Sequence, residues 1–176
     1  TVANNVTTAK ITAEANSSVA VLTGTGSKDL VVGDNTFHVT VTSQSGEIKT
    51  YEVIVTRLAS SDNNLKSLSV TGYTINPTFS SNETEYTLSV PYSVESITVN
   101  AGVNNSEAKY EVTGNSGFKV GENTVSVKVT AGNGSTKTYT IIVTRQKDTV
   151  NILKSLSLTN CTLSPTFSSS EISYTC

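Results

Sequence analysis

Few residues in this chain have the type and spacing that chemistry requires. His38 is the only histidine, and between Phe37 and Val39 it points away from an apolar row. A triad or metal site needs convergent partners, and it has none nearby in sequence. Glu83 and Glu85 stand two apart beside turn residues, and a near-copy of this stretch later in the chain has Ser173 in place of Glu85. Calcium takes roughly six to eight oxygen ligands. Asp62-Asn63-Asn64 offers one carboxylate and two amides, and Lys147-Asp148-Thr149 offers Asp148 alone. Tyr92, Tyr110 and Phe118 are candidates for a sugar-stacking platform, yet Asn4, Leu22 and Leu30, their counterparts 88 positions earlier, are not aromatic. The expectation is a chain with no catalytic residue, no metal site and no cofactor.

Composition narrows the alternatives. Twelve Lys+Arg against 14 Asp+Glu leave no basic stripe of the kind that displaces counterions from nucleic acid. No run of about 18 apolar residues offers a membrane span. Neither a starting Met nor a basic-then-apolar leader is present, so a mature product or an excerpt is expected. Ser and Thr make up 54 of 176 residues and Asn another 16. β-Branched Thr and Val suit pleated strands, while Asn, Gly and Ser suit tight turns. The chain reads as all-β.

These elements repeat with an 88-residue period. Leu65–Thr87 (LKSLSVTGYTINPTFSSNETEYT) and Leu153–Thr175 (LKSLSLTNCTLSPTFSSSEISYT) agree at 15 of 23 positions. At the same offset Gly33-Asp34-Asn35-Thr36 matches Gly121-Glu122-Asn123-Thr124, and Thr56-Arg57 matches Thr144-Arg145. The agreement of Gly, Pro and Tyr positions makes this a repeat rather than a bias in composition. The expected organisation is the latter part of one unit in 1–57 and a linker in 58–63. A complete unit follows in 64–146, then a linker in 147–151 and the opening hairpin of a further unit in 152–176. Linkers of about six residues restrict neighbouring units.

Alternation marks the strands. Val125, Val127 and Val129 share a face, as do Tyr139, Ile141 and Val143, with Ala131–Ser135 (AGNGS) as the turn between them. Leu68 and Val70 open the unit, which Leu88 with Val90 and Ile97 with Val99 continue. About seven short strands in roughly 85 residues predict a β-sandwich.

The ordered set Leu65-x-x-Leu68-x-Val70, Pro77-x-Phe79, Tyr86-Thr87, Gly121-x-Asn123 and Tyr139-x-Ile141-x-Val143-Thr144-Arg145 resembles the bacterial cadherin-like β-sandwich repeat, an immunoglobulin-like arrangement. The resemblance covers 64–146 and both partial units. It implies tandem repeats of an exported, cell-surface protein and a non-catalytic role. The acidic linker motifs of true cadherins are missing.

Cys161 and Cys176 replace Tyr73 and Leu88 of the complete unit. A simple antiparallel turn near Phe79-Ser80 would place Tyr73 opposite Leu88 and Ile75 opposite Tyr86, and hence Cys161 opposite Cys176. A cross-strand disulfide fits an oxidising exterior. Two free thiols in apolar slots are the alternative. Six Asn-x-Ser/Thr triplets, at Asn5, Asn16, Asn82, Asn104, Asn133 and Asn160, match the number expected by chance, about five, and carry no weight for glycosylation.

Cys176 corresponds to Leu88 and Thr1 to Ser89, so the chain breaks in mid-strand. Two readings follow. Flanking repeats of a longer chain complete the partial units, or neighbouring copies do so head-to-tail, which propagates into a filament. The functional expectation is an extracellular spacer, stalk or fibre element. The alternative is a surface adhesion module that binds glycan or a host protein.

Overall fold

A computed structural model describes residues 1–176. It contains eleven strands and no helix, so no helix is long and apolar enough to cross a membrane. The first unit holds β1 (Thr8–Ile11), β2 (Val21–Thr23), β3 (Gly26–Asp29), β4 (Gly33–Thr42) and β5 (Ile48–Arg57). The second holds β6 (Leu65–Val70), β7 (Glu85–Val90), β8 (Val99–Val103), β9 (Lys109–Thr113), β10 (Gly121–Thr130) and β11 (Thr136–Arg145). The complete unit thus has six named strands, one fewer than the spacing suggested.

In the second unit the order β7-β11-β10-β9 makes one sheet, and β6 pairs with β8 in the other. Period-2 alternation turns Val125, Val127 and Val129 inward beside Tyr139, Ile141 and Val143, all at zero exposure. These residues meet Leu65, Leu68 and Val70 across a 16-residue core. The spacing Leu65-x-x-Leu68-x-Val70 breaks strict alternation because the β6–β8 register shifts between Leu65 and Ser67. One residue is absorbed there, so Leu65 and Leu68 face the same side.

The opening segment differs from a simple hairpin. β6 and β7 belong to different sheets, and β7 runs parallel to β11, with Tyr86 opposite Ile141 and Thr87 opposite Ile142. A single antiparallel bridge, Asn76–Thr87, joins the crossover to β7. That register is two residues away from one that pairs Tyr73 with Leu88. The cause is local: Gly72 at φ +77° and the Tyr73 N–H bond to the Val70 carbonyl at 3.2 Å turn the chain before a ladder can extend. The β10–β11 turn forms as its sequence suggests, with the Ala131 N–H on the Ser135 carbonyl at 2.8 Å.

The first unit has the sheet β2-β4-β5 and the pair β1-β3. Nothing in it corresponds to β6, and all that corresponds to β7 is Val2, bridged in parallel to Arg57. Its core is accordingly thin. Leu30 and Val39 are the only apolar residues outside Leu65–Val143 that are buried.

Candidate functional site

Two polar positions that recur at the 88-residue offset, Arg57/Arg145 and Asn35/Asn123, are scaffolding. Arg145, almost fully buried, donates from Nε to the Tyr92 carbonyl (2.8 Å) and from Nη1 to the Phe118 carbonyl (2.6 Å), with Nη2 3.2 Å from Glu95 Oε1. Arg57 repeats this on the Asn4 and Leu30 carbonyls at 2.8 and 3.2 Å. Asn123 accepts the Lys119 N–H at 2.8 Å and donates to the Lys119, Gly121 and Val143 carbonyls. Asn35 does the same with Val31, Gly33 and Val55. The matching offsets gave these residues away in the sequence, but their roles depend on carbonyls from distant loops.

The residues first considered for chemistry are dispersed. His38 lies opposite Glu52 in the β4–β5 register, 3.8 Å away, with both side chains exposed. Glu83 takes the backbone N–H groups of Thr84 and Glu85 through Oε1. Phe118 is 3% exposed and belongs to the core, which removes it from any sugar platform. Aromatic residues are hydrophobic before they are anything else, and this one fills the sandwich end beneath Arg145. The Arg145 guanidinium lies 4.8 Å from the Tyr92 ring centroid, and Tyr110 sits apart on β9 opposite Val129.

In the first linker Asp62 accepts N–H groups from Asn104 at 2.6 Å and from Asn64 at 3.0 and 2.8 Å. The Asn104 side chain foremost, then the Asn64 backbone, holds its carboxyl below the usual value of 3.8. Its oxygens thus serve the chain's own donors, an arrangement unlike the converging oxygens of a calcium cage. Asp148 takes the Val150 N–H at 2.9 Å.

The uncovered inner face of the first unit forms a concavity of about 750 Å³. Ile11, Leu22, Val39, Val41, Tyr51 and Val53 line it. In the second unit the matching residues of β10 and β11 face β6 and the crossover, and β7 extends their sheet. Tyr139 is fully buried there, whereas Tyr51 is 49% exposed. At the other end of the chain the opposite deficit appears. Residues 152–176 repeat the covering segment, but Leu153 is 60% exposed where Leu65 has none. The only bridge in this segment is Ser164–Thr175, the counterpart of Asn76–Thr87. Cys161 and Cys176 are joined as a disulfide with Cα atoms 5.9 Å apart. Asn160, at φ +62° in place of Gly72, makes the turn that brings Cys161 round.

Residues 65–146 match the family model "Cadherin-like beta sandwich domain". This segment is a cadherin-like β-sandwich domain. No curated protein matches the chain. Domains of the cadherin-like kind are structural or adhesive modules without enzymatic chemistry and are typically extracellular. The open face of residues 1–57 is therefore best understood against the cadherin-like sandwich that follows it, where the same face is closed.

Proposed function

We propose that the chain is a non-catalytic element of an extracellular, cell-surface assembly, acting as a spacer, stalk or fibre unit. Its partners are neighbouring copies joined head-to-tail, or flanking repeats of a longer chain, which complete the unfinished sandwiches. One observation carries this reading: the uncovered face of the first unit and the unburied segment 152–176 correspond to the two surfaces that pack together within the central domain. Burying such apolar surface is the main driving force for association. Donor and acceptor are different surfaces, so each addition leaves one of each and the assembly stays open.

The linker suits a spacer. Ser60 receives the Asn133 N–H at 2.9 Å and gives its own N–H to Glu107 at 2.8 Å, so the first linker is held against the second unit. Negative-stain microscopy over a range of concentrations tests the reading. Rods that lengthen with concentration support it, and single particles of constant length count against self-assembly. An adhesive role toward glycan or a host protein rests on Tyr110, 44% exposed on edge strand β9. A glycan array with Tyr110→Ala as control separates that reading from the first.

A further inference from the structure

The uncovered face of the first unit holds a polar pair as well as apolar residues. In the closed domain, Tyr139 Oη accepts the Leu65 N–H at 3.1 Å and donates to the Ser81 carbonyl at 2.9 Å. Lys137 Nζ donates to the same carbonyl at 2.6 Å and to Asn64 Oδ1 at 3.0 Å, and lies 5.0 Å from the Tyr139 ring centroid. Together they clamp the start of the covering segment and the turn before β7. Lys49 and Tyr51 occupy the matching places on β5, with Nζ already 5.2 Å from the ring centroid. Their side chains have no hydrogen-bond partner within the chain.

We propose that Lys49 and Tyr51 are a recognition site for residues 152–176 of a second copy, a step that rests on the head-to-tail reading. Tyr51 Oη takes the Leu153 N–H and donates to the Ser169 carbonyl, which Lys49 shares. Ser173–Cys176 then add in parallel along β5, with Tyr174 opposite Val53 and Thr175 opposite Ile54, as Tyr86 and Thr87 lie opposite Ile141 and Ile142.

Three observations favour this occupant. Residues 153–175 agree at 15 of 23 positions with the segment that fills the same space in the closed domain. The free edge of β5 has the right extent, because Val2 already bridges Arg57, leaving Glu52–Val55 for Ser173–Cys176. The incoming turn is also preformed. Tyr174 Oη donates to the Ser168 carbonyl and accepts the Ser168 N–H at 2.6 and 3.0 Å, as Tyr86 does with Ser80 at 2.9 and 3.3 Å. Ser169 is thereby presented much as Ser81 is.

Docking onto the same copy is excluded by reach. The first unit attaches near Asn133, and the ten residues of β11 put Gln146 about 33 Å farther along. Lys147–Ile152 span at most roughly 20 Å. Segment 152–176 therefore reaches this face only from a second copy.

The test uses the full chain with its native disulfide. Ile54→Cys and Thr175→Cys variants, mixed under oxidising conditions, should form a covalent pair joining residues 54 and 175. Ile142→Cys, on an edge that β7 covers, should not couple to Thr175→Cys. In sedimentation velocity Tyr51→Phe should weaken association about tenfold, the effect of losing one well-placed hydrogen bond in a desolvated site. Association that is unchanged by Tyr51→Phe, with no 54–175 coupling, overturns this site but leaves head-to-tail assembly standing. A chain that remains monomeric at every concentration overturns both.

Discussion

Glu107 accepts the Ser60 backbone N–H at 2.8 Å, across 47 residues of sequence. Its other oxygen receives Asn4 Nδ2 at 2.8 Å, so one carboxylate holds the linker and the first unit together. Gly132 makes room for it, since a Cβ there would come within 2.6 Å of Glu107 Oε2. Glu107→Ala should therefore loosen the angle between the units without unfolding either. Small-angle scattering would record a broader distribution of lengths for the variant, while the urea midpoint of residues 64–146 should stay unchanged.

The same carboxylate gives the junction a pH dependence. The Ser60 backbone N–H first, and Asn4 next, lower the Glu107 carboxyl below its usual 4.5; Asn104 and Asn64 lower Asp62 below 3.8. A depressed folded value means that the bonds are fully present above the unfolded value and are lost as pH falls through the folded one. The linker should hold above about pH 4.5 and loosen progressively on acidification below it. Amide exchange at Ser60 and Asn64, compared with core amides after correction for intrinsic rates, checks this. Tyr86 carries the opposite sign. Burial, its largest influence, raises its phenol above 10.0, so its contribution persists below pH 10 and is lost in stronger alkali as the phenol ionises.

Arg145 satisfies two carbonyls at the end of the closed sandwich, and its removal leaves the buried Phe118 carbonyl and the part-buried Tyr92 carbonyl without that donor. Arg145→Ala should destabilise residues 64–146 by roughly 2–4 kcal/mol, judged from the loss of charged hydrogen bonds in a desolvated setting. Arg145→Lys should recover only part of this, because one ammonium cannot reproduce the forked geometry toward Tyr92 and Phe118. Urea unfolding of the three proteins measures both effects.

Sequence reached the all-β class and the inward rows Val125–Val129 and Tyr139–Val143, because alternation is a local signal. It could not reach the parallel pairing of β7 with β11, which depends on a crossover between sheets that no local pattern encodes. Treating that crossover as a hairpin shifted the expected register by two residues. The cysteines meet even so, because the turn at Asn160 moves Cys161 beside the strand end. Phe118 could not be assigned to core or surface for a related reason: one aromatic outside an alternating run gives no sign of which side it faces. The 88-residue offset already placed no counterpart of Leu65 or Tyr86 within residues 1–57. The Lys49–Tyr51 pair was not legible, since its meaning comes only from the bonds that Lys137 and Tyr139 make.

The disulfide should govern how well segment 152–176 is prepared for docking. Every hydrogen bond of this segment is internal, and only the Ser164–Thr175 bridge ties its ends together. Closing a loop of 15 residues restricts the open ensemble by about 3 kcal/mol, or roughly a hundredfold in the opening equilibrium. Reduction, or Cys161→Ser with Cys176→Ser, should accelerate amide exchange at Ser164 and Thr175 by up to that factor. Exchange at Leu65 and Val143 should not change, because the closed domain makes no use of the bond. Two reactive thiols in the unreduced, denatured chain would contradict the pairing. Equal exchange at Ser164 with and without reductant would show that the Tyr174 turn suffices to hold the segment.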